Sequence, residues 1–198
     1  MGYVVAQLAQ WFAGFPAEPW TLVTLMFPSL WLAFSFVLLM VSIHHYASEE
    51  RKIWSHMALV LAVMYTTLNS TVYFVQLNVV LPLTLAGEAS RVQFLVLSNQ
   101  WFGIPGANSF MYGVDAFGYG LMSLSTLFAA PVFVGGGFVR WTKWALAANG
   151  LLAPTLFLQL VVPAVFGIDT LWAITFPLST ALLAALFRRC ASSSRSDS

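Results

Sequence analysis

Five long apolar stretches, separated by short polar breaks, set the rhythm of this chain. They run from about Trp20 to Ile43, Trp54 to Leu81, Ser109 to Val134, Trp141 to Phe166 and Thr170 to Phe187. A helix needs about 20 apolar residues to cross the hydrocarbon core of a bilayer. The pattern therefore predicts an all-α integral membrane protein, a five-span transmembrane helix bundle. Residues 1–15 are apolar but too short to span. Phe15-Pro16 and Glu18-Pro19 separate them from the first stretch, so an N-terminal interfacial helix is expected there. The same fifteen residues lack a basic start, so no cleavable signal peptide is expected. Residues 1–190 read as a single membrane domain. The polar, serine-rich residues 191–198 read as a disordered tail.

Polar residues inside these stretches form two stripes. Thr66, Asn69, Tyr73 and Gln76 of the second span fall within an arc of roughly 80° at about 100° per residue. Tyr112, Asp115, Tyr119, Ser123 and Thr126 of the third span do the same, and Asn108 extends that stripe. The two spans run in opposite directions, so both stripes fall in the same half of the membrane. Gln159 of the fourth span falls in that half too. Consecutive spans tend to be neighbours. The arrangement predicts a polar pocket lined by these residues and covered by the long 82–108 connection, in which Glu88 to Gln100 has the pattern of a short amphipathic helix. Neutral polar residues also bind helices together at about 0.6 kcal/mol each, so a purely structural role stands beside the pocket.

Asp115 sharpens the contrast. It lies roughly 9 Å below the outer end of its span by helical rise. An ionised carboxylate at that depth must be neutralised, paired or hydrated. Three states are open: a neutral acid donating to Asn69 or Gln76, an ion pair with Arg91, or a carboxylate facing a wet cavity.

Charge adds orientation. Of the eight Lys and Arg residues, Arg51, Lys52, Arg140, Lys143, Arg188, Arg189 and Arg195 all fall in breaks on one side, leaving only Arg91 on the other. Cytoplasmic loops carry this excess, so the N-terminus is expected outside and the C-terminus in the cytoplasm. Trp20, Trp101 and Trp172 map to one interface and Trp54, Trp141 and Trp144 to the other, while Trp31 falls mid-span. The composition agrees: 60% hydrophobic, 8% charged, against about 25% charged in a soluble domain. A net charge of +1 argues against a nucleic-acid partner, and the single cysteine, Cys190, excludes a disulfide framework within the chain. A bacterial cytoplasmic membrane is the default location.

His44, His45 and His56, with Glu49 and Glu50 between them, carry metal-ligand chemistry at the cytoplasmic edge. One loop supplies them all and no His-x-x-x-His pair occurs, so no metal is expected there. Gly113 and Gly120 offer the third span a close approach to a neighbour.

No complete catalytic or transport motif is present, and the sequence leaves any cofactor unknown. The leading expectation is a protein that binds a small amphipathic or lipid-like molecule, as a carrier, sensor or transporter component. Its ligand-binding residues would be Asn69, Tyr73, Gln76, Tyr112, Asp115, Tyr119, Gln159 and Arg91. One alternative is an accessory or assembly subunit whose stripes face a membrane-protein partner or a second copy. The other is an intramembrane enzyme using Asp115 as acid or base.

Overall fold

The computed structural model describes residues 20–97 and 109–196, and all of their regular structure is helical. The expected interfacial helix at 1–15, and Trp101 and Asn108 of the long connection, lie outside the described residues.

The first helix, α1 (Trp20–Tyr46), carries Pro28 inside it. A short turn at Glu49–Arg51 leads into α2 (Lys52–Val75). A single π-helical stretch, Gln76–Val80, then joins α2 to α3 (Leu81–Leu85). Pro82 offers no N–H to the Asn78 carbonyl and its ring crowds that group. A wider turn just before it relieves the conflict. Of the helix predicted for Glu88 to Gln100, the described residues 88–97 form one tight turn at Ala89–Val92, and 98–100 lie outside the described residues.

Helix α4 (Phe110–Ala129) is capped by the Ser109 side chain, which accepts from the Tyr112 N–H. It ends in a tight turn at Ala130–Val132, where Pro131 cannot continue the helical bonding. Gly137, at φ +58°, turns the chain into α5 (Phe138–Gly150). The expected fourth span to Phe166 is not one helix. It breaks at Leu151–Leu152 and resumes as α6 (Ala153–Leu158), because Pro154 leaves the Gly150 carbonyl without its helical donor. Pro163 opens a further turn, and α7 (Phe166–Asp169) precedes α8 (Trp172–Ser196). Helix α8 runs on to Ser196, into the stretch expected to be disordered. The Ser192 hydroxyl donates to the Arg189 carbonyl one turn back, which suits continued helix.

Among the described residues three helical runs are long and apolar enough to cross a membrane: Leu22–Tyr46, Glu49–Leu85 and Gly167–Ser192. Helix α4 has the length, 20 residues, but its Tyr, Ser, Thr and Asp dilute it. The α5–α6 run is interrupted.

Helix α2 sits centrally, against α1 on one side and α4 on the other, while α5 packs on both α4 and α8. Ala33, Met40, Ile43, Ala58, Ala62, Met122, Leu146 and Leu183 form the dry centre. Small residues let hydroxyls bridge helices: Thr66 donates to the Ala33 carbonyl (2.8 Å) and Ser125 to the Ala58 carbonyl (2.7 Å). Asn149 joins three helices, donating to the Thr126 hydroxyl (3.0 Å) and accepting from Thr175 (2.9 Å). Beside it, a Cβ on Gly150 would meet the Leu127 backbone at 2.6 Å, so only glycine allows α4 and α5 this close. Gly120 likewise admits the Phe157 ring, whereas Gly113 faces open space.

One end of the bundle gathers the basic breaks. Arg51 donates to the Pro131 carbonyl (2.6 Å), Tyr46 stacks on Phe133 and touches Phe187, and the Arg189 guanidinium lies 4.2 Å from the Phe138 ring centre. The Glu88–Arg91 turn is at the opposite end.

Candidate functional site

Asn69, on the α2 face that meets α4, is fully buried. Its side-chain N–H donates to Asp115 Oδ1 (2.8 Å) and also lies near the Asp115 carbonyl (3.4 Å) and the Tyr73 hydroxyl (3.3 Å). Tyr73, one turn along α2, bonds to the Tyr119 hydroxyl (3.0 Å) and reaches the Asp115 carboxyl. Asn69, Tyr73, Asp115 and Tyr119 thus form one network across the α2–α4 interface. The i, i+4 spacing on each helix puts the paired groups on facing surfaces.

This network exists because of Gly118. A Cβ there would fall 1.6 Å from Asn69 Oδ1. The missing side chain is the slot that holds the Asn69 amide, and Oδ1, seated there, has no hydrogen-bond partner.

The remaining predicted residues separate into three places. Tyr112 donates to Gln159 Oε1 (3.1 Å), joining α4 to the end of α6. Gln76 is fully buried but serves the connection, donating to the Leu95 carbonyl (2.7 Å) and accepting from the Leu97 N–H (2.9 Å). The π-helical stretch that begins at Gln76 is where α2 takes hold of this segment. Arg91 is exposed and its guanidinium is paired with Glu88. Asp115 does meet Asn69, but as acceptor from its amide N–H rather than as the expected donor, and Arg91 pairs with Glu88 rather than with Asp115. The connection places Arg91 next to an acid three residues away, which engages it first.

Asp169 was not among the predicted residues. It closes α7 at 6% exposure and has no charged partner. Its nearest donor is the Thr155 hydroxyl, which also lies within bonding distance of the Leu152 carbonyl (2.9 Å). Tyr112 lies within electrostatic reach of both Asp169 and Asp115, Asp169 the stronger. Asp169 falls in the gap between two predicted spans and so does not register as an intramembrane acid. The available signal was an acid in a run from Leu160 to Phe187 that contains no base.

Aromatic rings underlie these groups. Phe36, Tyr65, Tyr119, Trp172 and Phe176 form a closed circuit of contacts, with neighbouring ring centres 4.9–6.0 Å apart. They come from α1, α2, α4 and α8. Trp172 is half-buried, stands edge-on to Tyr119, and its indole N–H has no partner. Tyr112, Asp115 and Tyr119 are also half-buried.

At the basic end, His44 stacks on His56 (4.4 Å between centres) and meets the Ser55 hydroxyl (2.8 Å). His45 is 6.2 Å from His44, and Glu49 pairs with Lys52 (2.8 Å). Among the described residues no three His, Cys, Asp or Glu side chains converge as a metal site. No protein family, curated protein or solved structure matches the chain.

Proposed function

We propose that this chain is a five-span protein of the bacterial cytoplasmic membrane, N-terminus outside, that holds a small amphipathic or lipid-like molecule in an outer-leaflet cleft beside Asp115 and Asn69. The convergence of the basic breaks at one end of the bundle supports the orientation. Helix α4, 20 residues long, rises about 30 Å, and the α5–α6 run covers the return; both lengths suit a crossing.

The observation that carries the binding reading is a half-buried acid within a span whose partners are all neutral. An acid within a span is costly and marks a functional site by default. Interhelical hydrogen bonds return only about 0.6 kcal/mol each. The bonds from Asn69 and Tyr73 offset part of that cost, so helix adhesion alone is a poor reason for Asp115. The half-buried faces of Tyr112, Asp115, Tyr119 and Trp172 give a guest an entry from the outer leaflet.

The outward surfaces favour this over a partner subunit. Thr67 and Thr71 are exposed, and each hydroxyl donates to the carbonyl four residues back (2.9 and 2.8 Å), a state suited to lipid.

Native mass spectrometry of protein purified in mild detergent tests the reading. Wild type is expected to carry one small molecule per chain, and Asp115→Asn, which keeps the shape of the acid, is expected to lose it while remaining folded. Protein that arrives bare, or bound to a second polypeptide, would replace the binding reading with the accessory-subunit one.

A further inference from the structure

We infer that the guest of this cleft is an organic cation: an ammonium or other onium group on an apolar body, held between Asp169 and Asp115 over the Tyr119–Trp172 rings. The inference rests on the cleft proposed above and adds the charge of its occupant.

Three independent features point the same way. The first is Asp169, 6% exposed, on a different element from Asp115, with the neutral Thr155 hydroxyl as its nearest donor and no charged partner. A buried carboxylate with so little compensation is a strong demand for a positive or hydrogen-donating neighbour. The second is the placement of cations. Arg51, Lys52, Arg140, Lys143, Arg188 and Arg189 belong to the opposite end of the bundle, and Arg91 is engaged by Glu88. Within the described residues the chain brings no base to these two acids. The third is the aromatic surface. Tyr119 and Trp172 meet at 5.0 Å, and Trp172 stacks on Phe176 at 4.9 Å. Aromatic faces attract an onium group within about 6 Å and offer nothing comparable to an anion. An anionic guest would meet two carboxylates, and a neutral donor would satisfy hydrogen bonding while leaving the charge of the two acids unbalanced.

Tyr112 links the two acids. Its hydroxyl is committed to Gln159, so its ring forms wall rather than donor. The opening among half-buried side chains admits a guest whose apolar body stays in the outer leaflet while its head reaches the acids.

The test compares tetraphenylphosphonium with tetraphenylborate, two ions of the same shape and opposite charge, by equilibrium dialysis against protein in uncharged maltoside micelles. The phosphonium is expected to saturate at one per chain, and the borate to show only the linear uptake of empty micelles. Asp169→Asn and Asp115→Asn should each weaken phosphonium binding about 10- to 100-fold, with thermal unfolding of the protein close to wild type. Competition on wild type needs no variant: decylammonium should displace the phosphonium, and decanol should not. Equal binding of both ions, phosphonium binding indifferent to both substitutions, or displacement by decanol as effective as by decylammonium would overturn the cation assignment. A neutral or anionic molecule co-purifying with protein that ignores the phosphonium would remove the cation and keep the cleft. Bare protein that binds neither ion would remove both.

Discussion

At the scale of single residues, the α2–α4 contact turns on a side chain that is missing. Asp115 and Asn69 were legible as partners from spacing alone. Each lies on the polar face of its span, and the spans are consecutive, so 100° per residue brings them to the same seam. Gly118 was not legible. Glycine is ordinary in membrane helices, and nothing local marks this one over Gly113, which touches nothing. Only the position of the Asn69 amide, 1.6 Å from the absent Cβ, gives it a role. Gly118→Ala should therefore eject the Asn69 side chain and destabilise the protein by about 1–3 kcal/mol, the usual range for overpacking. Asn69→Ala in the same background should recover much of the packing loss. A double-mutant cycle on unfolding free energy checks this: the account predicts a combined loss clearly smaller than the sum of the single losses. Strict additivity would show that Gly118 and Asn69 are not coupled. Arg91 failed for a different reason. Charge complementarity suggested Asp115, but an acid three residues away lies on the same turn and engages the guanidinium with no change of depth.

At the scale of elements, hydropathy located the three long apolar helical runs of the described residues but not the breaks inside the apolar stretches. Apolar periodicity runs unbroken through residues 76–80 and 151–152, and the backbone changes there because Pro82 and Pro154 remove donors. Proline placement signals a disturbance without saying whether it becomes a kink, a π turn or two helices. Here it gives one π stretch and one divided helix. The π stretch starts at Gln76, whose amide holds both the Leu95 carbonyl and the Leu97 N–H. Gln76→Leu would strand two backbone groups, and buried groups without partners cost about 1–3 kcal/mol each. Hydrogen exchange read by mass spectrometry should show faster exchange across residues 93–97 in that variant, with the α4 amides near Asp115 unchanged. Unchanged exchange at 93–97 would mean that other contacts hold this segment. Asp169 was lost at this scale as well. A boundary drawn between Phe166 and Thr170 put it in a loop, whereas the chain folds Phe166–Asp169 as a short helix that keeps the acid buried.

At the scale of the whole molecule, the separation of charge along the bundle axis was the most legible property. Basic breaks far apart in sequence meet at one end, through Arg51 at Pro131 and Arg189 at Phe138. Orientation follows if that end faces the cytoplasm. Cys190, the one cysteine, is exposed near it. A membrane-impermeant maleimide should label Cys190 in inverted vesicles and not in intact cells. Glu88→Cys, in a Cys190→Ser background, should show the reverse. The opposite pattern would invert the protein and move the cleft to the inner leaflet. What could not be read at this scale was the place of the proposed cleft. It depends on α6, α7 and the start of α8 returning Gln159, Asp169 and Trp172 to the α4 face, a path set by Pro154 and Pro163 rather than by any spacing within a span. The most direct test of the central claim is a crystal structure of the native protein grown in a lipidic mesophase, read for density among Tyr112, Asp115, Asp169 and Trp172. The account predicts a discrete non-protein molecule there, its head against the carboxylates. A closed seam, with Asp169 bonded only to protein or water, would contradict it.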